Sequence, residues 1–318
     1  MVKSSAVNTP TTVCLQSFEL WLENRKPTVT GGVETCIRKE RIKYLNNMEK
    51  IKIVTLMEDN LCGDRLIAEH GLSLYIETEK HRILVDTGQS DRTWANAKEK
   101  GIDLSSIDTV FISHGHYDHS GGLMAFAAIN PKADIYLHEN AGGEYYSYKE
   151  GVEKYIGIDK NILKLPNLHL INENTTIDDE LFIFTGVKPN RLWPKGNKRL
   201  HEKKNDIFVQ DAFSHEQYLV VRYDDKYALI SGCAHNGILN ILDTFRDIFR
   251  VDPSIVISGF HMIQTTYTEE DMTEIRQTAK ELQTMDTVFY TGHCTGEKAY
   301  GILKEIMGEK LQAIWRQK

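Results

Sequence analysis

The stretch Thr109-Val110-Phe111-Ile112-Ser113-His114-Gly115-His116-Tyr117-Asp118-His119-Ser120-Gly121-Gly122 runs from an apolar strand pattern into a tight turn and then into glycines. Four metal-binding side chains fall within the six residues 114–119. Packing does not call for such a cluster at the end of a buried strand, and a binuclear metal site does. His114 and His116, two residues apart, can face the same way and share one ion, while Asp118 and His119 turn toward a second. Imidazole and carboxylate suit Zn²⁺ first, with Mn²⁺ or Fe as alternatives, so one or two divalent ions are the expected cofactor. A run of solvated surface histidines is the competing reading, but it does not explain the strand before the turn or the glycines after it.

The chain around this turn has 318 residues, 41% hydrophobic and 26% charged, the balance of a globular protein. That length accommodates one large α/β domain or two modest ones. A net charge of −7 disfavours a nucleic-acid backbone as main partner. No apolar run approaches the length of a membrane helix, so no membrane partner is expected. The five cysteines, Cys14, Cys36, Cys62, Cys233 and Cys294, form no CxxC pair, which fits a reducing, cytoplasmic setting better than a disulfide framework. Nothing in the sequence sets the oligomeric state.

Residues 1–47 differ from the rest. They hold seven Lys/Arg against four Glu, a balance of +3 that leaves −10 for the remainder. They show neither a strong period nor an apolar signal core, and their acidic residues count against a transit peptide. A poorly ordered extension over 1–47 and one folded domain over 48–318 are therefore expected.

From Ile51 onward, short β-rich runs alternate with helical patterns. Strands are expected at 51–56, 72–77, 82–86, 109–113 and 134–137, and again at 181–185, 217–223, 226–231, 254–258 and 287–291. Helices are expected over 93–100, 123–129, 237–249, 269–284 and 297–307. Two halves that each mix strands and helices point to an α/β fold with two sheets face to face and helices outside.

Histidines recur at the strand ends. His114, His116 and His119 follow one strand. His235 follows another in Ser231-Gly232-Cys233-Ala234-His235, His261 a third in Ser258-Gly259-Phe260-His261, and His293 a fourth in Thr291-Gly292-His293-Cys294. Strand ends beside glycine are where a rigid scaffold presents side chains to a cleft. One such histidine is most often a hydrogen-bonded core residue, but four strand ends with the same grammar argue for a single site.

Asp86-Thr87-Gly88 after a strand, followed by the His114–His119 turn and Gly121-Gly122, resembles the metallo-β-lactamase superfamily. The likeness runs from about Ile51 to near the C-terminus. Within that superfamily the chain is similar to the group labelled 7,8-dihydropterin-6-ylmethyl-4-(β-D-ribofuranosyl)aminobenzene 5′-phosphate synthase. The likeness to that group lies in Glu58-Asp59-Asn60, His70-Gly71-Leu72-Ser73, Ser113 to His116, Thr185-Gly186, Glu216-Gln217, Gly232 to Ile238, Gly259-Phe260-His261 and His293 to Gly296.

The resemblance implies an αββα sandwich with metals at one edge of the sheets. It implies His114 and His116 on the first ion, Asp118 and His119 on the second, and His293 with the second. The middle of the chain departs from the superfamily pattern. No histidine stands near Thr185-Gly186-Val187, and the strand-end aspartate that often bridges the ions is replaced at Gly232-Cys233. His235 then stands in for the missing imidazole and Cys233 for the bridging aspartate, so occupancy of the second site is an open point. Asp118 also gains a catalytic role, orienting water activated by the ions. His261 has two readings, a proton donor or substrate contact and a structural histidine.

The basic stretch 190–206 reads as an exposed loop around Pro194-Lys195-Gly196-Asn197, either a lid whose cations, Arg191 among them, grip an anionic substrate or a solvated charge cluster. The group likeness brings Glu58, Asp59 and Asn60 to the same cleft as substrate contacts. Trp193 and Tyr267 are candidates to stack on a ring such as a pterin. The function expected is that of a metal-dependent hydrolase or group-transfer enzyme acting on a small anionic metabolite, with phosphoribosyl-type transfer to a pterin as its specific form. The alternatives are a phosphodiesterase, lactonase or thioesterase using metal-activated water, di-iron redox chemistry, which lacks a recognisable flavin domain here, and a non-catalytic metal or ligand sensor.

Overall fold

Period-two alternation builds both large sheets. The computed structural model describes residues 51–60, 65–149 and 151–315. The extension expected over 1–47 lies outside the described residues, as do Cys14, Cys36 and Cys62. The first half runs through β1 (Lys52–Met57), β2 (Ser73–Glu77), β3 (Arg82–Val85), α1 (Thr93–Glu99), β4 (Thr109–Phe111), α2 (Tyr117–Ser120), α3 (Leu123–Ile129) and β5 (Asp134–His138). Two hairpin strands, β6 (Tyr145–Lys149) and β7 (Val152–Tyr155), precede β8 (Leu168–Ile171), β9 (Thr175–Thr176) and β10 (Leu181–Thr185). The second half holds β11 (Leu200–Lys204), β12 (Ile207–Gln210), β13 (Gln217–Tyr223), β14 (Lys226–Ile230), α4 (Ile238–Phe249) and β15 (Ile255–Ile257). It closes with α5 (Glu269–Thr284), β16 (Val288–Thr291), α6 (Glu297–Met307) and β17 (Leu311–Ala313).

One sheet has the order β1-β2-β3-β4-β5-β8, the other β17-β16-β15-β14-β13-β10-β9. Successive side chains of a strand face opposite ways, and the burial follows that rule. Leu74 and Ile76 of β2, Ile83 and Val85 of β3, Leu181 and Ile183 of β10, Leu219 and Val221 of β13, and Ala228 and Ile230 of β14 share the core between the sheets. Their neighbours Tyr75 and Leu84 turn outward to the layer that includes Leu123 and Phe126 of α3. Phe184, Tyr218, Val220 and Leu229 turn the opposite way, to a layer that includes α4, α5 and α6. The result is the expected αββα sandwich.

The helices carry matching stripes. Ile238, Ile241, Leu242 and Phe245 of α4 are buried at helical spacing. Truncating Phe245 to alanine would cost about 3–5 kcal/mol. Thr268 and Asp271 start α5 with a reciprocal capping box, each side chain accepting from the other's backbone N–H.

Two features depart from the sequence reading. A third sheet, β12-β11-β6-β7, lies beside the sandwich, and its apolar residues Tyr145 and Leu200 pack with Phe213 of the following loop and with Tyr117 and Trp193. The basic stretch 190–206, expected as an exposed loop, instead contains a 3₁₀ turn at Lys195–Arg199 and the whole of β11. Asn197 within it is fully buried, because its amide hydrogen-bonds the His235 main chain and ring.

Candidate metal centre

β3 and β4 are parallel, and so are β14, β15 and β16. Their carboxyl ends therefore open on one edge of the sandwich, where Asp86, the 113–119 turn, and the turns at 231–235, 258–261 and 291–294 meet. Asp86, Ala234, His261 and His293 all take left-handed backbone there, with φ of 54°, 47°, 49° and 47°. Such conformations cost of order 1–3 kcal/mol and persist where surrounding structure enforces them.

Close backbone approach explains the glycines. A Cβ at Gly121 would lie 2.1 Å from the Gln89 carbonyl oxygen, and one at Gly232 would lie 2.1 Å from Ser113 Oγ. Gly232 thus lets the second sheet's turn press against the base of the histidine turn.

His114, His116 and His235 form the first group. One ring nitrogen of each lies within 4.8 Å of the others, all three residues are buried, and each Nε2 lacks a hydrogen-bond partner among the described residues. The tautomers follow from the neighbours. Ser113 Oγ donates its one proton to Asp86 at 2.7 Å, so His114 Nδ1–H donates to Ser113 Oγ at 2.9 Å. Asn197 Nδ2 donates to the His235 carbonyl at 2.7 Å, so its oxygen accepts from His235 Nδ1–H at 2.9 Å. In both rings the bare lone pair is on Nε2. Burial, reinforced by the neighbouring histidines, pushes the pKa of His114 and His235 well below the ordinary value and that of His116 down to about 3. These are neutral imidazoles, the form that binds metal.

Asp118, His119 and His293 form the second group. Asp118 Oδ2 stands 3.6 Å from His119 Nε2 and 3.4 Å from His293 Nε2. Asp86 accepts from His119 Nδ1–H at 2.6 Å and Asp59 from His293 Nδ1–H at 2.5 Å. Burial opposes charge on His293, but the Asp118 and Asp59 carboxylates together raise its pKa well above the ordinary range. Cys233 joins the two groups. Its Sγ is 3.1 Å from His119 Nε2, and it clusters with His114 and His119 on one side and with His293 and Cys294 on another.

His261 is buried, and among the described residues neither of its ring nitrogens has a hydrogen-bond partner. Its ring centroid lies 4.2 Å from that of His235. It lines an open cleft together with Trp193, Lys195, Phe260, Met262 and Ile275.

The other residues singled out in the sequence divide. Glu58 and Asp59 reach the site from behind: a Glu58 carboxylate oxygen accepts the His293 backbone N–H, and Asp59 holds the His293 ring. Asn60 donates its N–H back to Glu58 at 2.5 Å. Arg191 does not join the cluster, because Asp243 and Glu281 of α4 and α5 take up its guanidinium. Lys195 pairs with Asp271 at 3.0 Å and Glu274 at 3.2 Å. Acidic groups on α4 and α5 thus engage both cations, against the substrate-gripping lid reading. Tyr267 donates its hydroxyl to the Met262 carbonyl, and Lys298 lies over its ring.

Four supporting residues had no individual role in the sequence reading. Asp86 accepts from Ser113 N–H, Ser113 Oγ–H and His119 Nδ1–H, fixing the turn at its base. His215 accepts from Gly115 N–H at 3.0 Å and donates to Asp211 at 3.2 Å. Glu216 accepts from the backbone N–H groups of His235 and Asn236 at 2.7 and 2.9 Å. His70 faces Asp59 with Nδ1 and Asp118 with Nε2. Glu216 and His70 lie in stretches that carried the group likeness, and the Asp-Thr-Gly motif marked Asp86. Only the remote partners reveal what they do.

Residues 67–259 match the Metallo-beta-lactamase superfamily. The chain is 30% identical over 297 residues to the 7,8-dihydropterin-6-methyl-4-(beta-D-ribofuranosyl)-aminobenzene-5'-phosphate synthase of Methanocaldococcus jannaschii, covering 85% of this chain and 96% of that protein. A second, uncharacterized protein of the same organism is 27% identical over 261 residues, covering 80% of this chain and 94% of its own. Among solved structures, Tm1679, a metal-dependent hydrolase of the beta-lactamase superfamily, superposes with a TM-score of 0.69 at 30% identity, covering 83% of this chain and 95% of that one.

Proposed function

We propose that this chain, which belongs to the metallo-β-lactamase superfamily, is a two-ion metalloenzyme that carries out hydrolysis or group transfer on a small anionic metabolite. The observation that carries this reading is the set of buried, unpartnered Nε2 atoms on His114, His116 and His235. A buried polar atom without a partner costs about 1–3 kcal/mol, and three together at one point are what a metal ion would satisfy. In this reading those three hold the first ion, Asp118, His119 and His293 hold the second, and Cys233 lies between them. Zn²⁺ suits the imidazole, carboxylate and thiol donors.

Bound there, such ions lower the pKa of water to about 7 and polarise a carbonyl or phosphoryl oxygen. The chain's own residues set the stage for that chemistry. Asp86, Ser113 and Asn197 fix ring tautomers so that Nε2 faces inward. Asp118, whose pKa is held far down by His119 and His293 against the effect of burial, is a carboxylate at neutral pH that can orient water beside the ions. His261 stands between His235 and the open cleft, where it can contact a substrate or pass it a proton.

The substrate is proposed to enter along Trp193 and His261, with its ring on Trp193 and its anionic group toward the ions. Likeness to the M. jannaschii synthase supports a pterin or aryl-ribose phosphate as first choice. The test is elemental analysis of the purified chain, then turnover on pterin and phosphoribosyl compounds beside phosphodiester, lactone and thioester panels. Stoichiometric metal and metal-dependent turnover of a phosphate-bearing compound are expected. Metal content near zero after reconstitution would sink the proposal.

A further inference from the structure

We infer that His70 is a further protein ligand of the second ion, paired with His293 through the carboxylate of Asp59; the inference rests on the two-ion reading above. Asp59 Oδ2 accepts from His70 Nδ1–H at 2.9 Å, while Asp59 Oδ1 accepts from His293 Nδ1–H at 2.5 Å. One carboxylate thus selects the same tautomer in two rings whose centroids are 5.0 Å apart. Both Nε2 atoms then face a single oxygen. Asp118 Oδ2 is 3.4 Å from His70 Nε2, 3.4 Å from His293 Nε2 and 3.6 Å from His119 Nε2.

That spacing is long for strong charge-assisted hydrogen bonds and short for unrelated side chains. Donors held about 2.1 Å from one tetrahedral ion stand about 3.4 Å from each other. His70, Asp118, His119 and His293 therefore make a four-donor set with three of its rings oriented from behind by Asp59 and Asp86, the arrangement in which carboxylates aim imidazoles at metal. The backbone holds His70 in place. Leu72 N–H donates to the Asp118 carbonyl at 3.3 Å, and a Cβ at Gly71 would lie 2.5 Å from that same oxygen, so the glycine lets the segment press against the ligand turn. A surface histidine that merely pairs with an acid would need none of this. Its side chain is 52% exposed, which places the second ion at the mouth of the site and the first beneath it.

The test is calorimetric titration of the metal-free full chain with Zn²⁺, with Co²⁺ absorption reporting coordination of each equivalent. Wild-type chain is expected to take two equivalents. His70→Ala is expected to weaken the second at least about tenfold, to alter the cobalt spectrum of that equivalent, and to leave the first unchanged. Asp59→Asn, which keeps both rings but leaves a single amide oxygen to accept from one of them, serves as the second variant and should weaken the same equivalent. Far-UV circular dichroism of the metal-free proteins checks that each variant folds. Unchanged affinity and spectrum for the second equivalent in His70→Ala would overturn the role of His70, whatever Asp59→Asn does through His293, while leaving the two-ion reading standing. A wild-type chain that takes one ion would overturn the inference and the two-ion reading together, and one that takes none would overturn the metalloenzyme proposal altogether.

Discussion

The two ends of the sandwich use histidine in opposite ways. At the end before β3, His81 spends both ring nitrogens, one on Asp108 at 3.0 Å and one on Asp178 at 2.7 Å, and so ties the two sheets together. At the end where β3, β4, β14, β15 and β16 stop, buried histidines use Nδ1 on a neighbour and leave Nε2 bare: His114, His235 and His293 all follow this pattern. A satisfied histidine is a structural clamp. A converging set of half-satisfied ones has a cost that folding alone does not recover, and that difference separates site from scaffold.

The sharpest way to break the contrast is to remove one bare nitrogen. His116→Ala should reduce turnover by more than about 100-fold, beyond the 10–100-fold typical of residues behind the ligands, with loss of bound metal by elemental analysis. Metal content and rate equal to wild type would erase the distinction between the ends. Asp86→Asn should cost about 10–100-fold in metal affinity, measured by competition with a chelating dye, because the carboxylate holds both Ser113 and His119. Asn197→Ala acts on one ring only. It should weaken the first ion by about tenfold and lower unfolding stability by about 1–3 kcal/mol in urea, since the His235 carbonyl loses its buried donor.

The smallest effect is expected at the clamp. Burial disfavours a charged His81, but hydrogen bonds from its ring to Asp178 and Asp108 outweigh that and raise its pKa. A raised histidine stabilises the fold fully below its unfolded value of about 6.5 and loses that contribution as pH rises through the folded value. The stability difference between wild type and His81→Gln should therefore be larger at about pH 6 than at about pH 9, with metal binding unaffected at both. A difference that grows with pH would contradict the assignment of His81 as a charged clamp.

Much of this architecture was legible in the chain. Strands at 72–77, 82–86, 217–223 and 226–231 announced themselves by alternation, and the structure has β2, β3, β13 and β14 there. The turn at 114–119 and the histidines at 235, 261 and 293 stood out because each follows a strand beside glycine. The small third sheet was less visible. β7 and β11 carry charged residues such as Lys154, Glu202 and Lys204, and apolar residues of β7 and β12 such as Val152, Ile207 and Val209 stay exposed, so their pairing leaves no pattern of a buried face. The basic stretch misled for a related reason, since Lys195 and Arg191 have their acidic partners on helices far along the chain.

The order of strands and helices, the sandwich they build and the presence of a histidine-rich edge were determined by the sequence itself, because periodicity and turn chemistry are local. Which nitrogen of each ring stays bare was decided only by the tertiary structure. That choice depends on partners such as Asp59 for His293 and Asn197 for His235, 234 and 38 residues away in the chain. A carboxylate or amide at that distance leaves no mark on local pattern. It acts only once both sheets have packed and brought it within hydrogen-bonding reach.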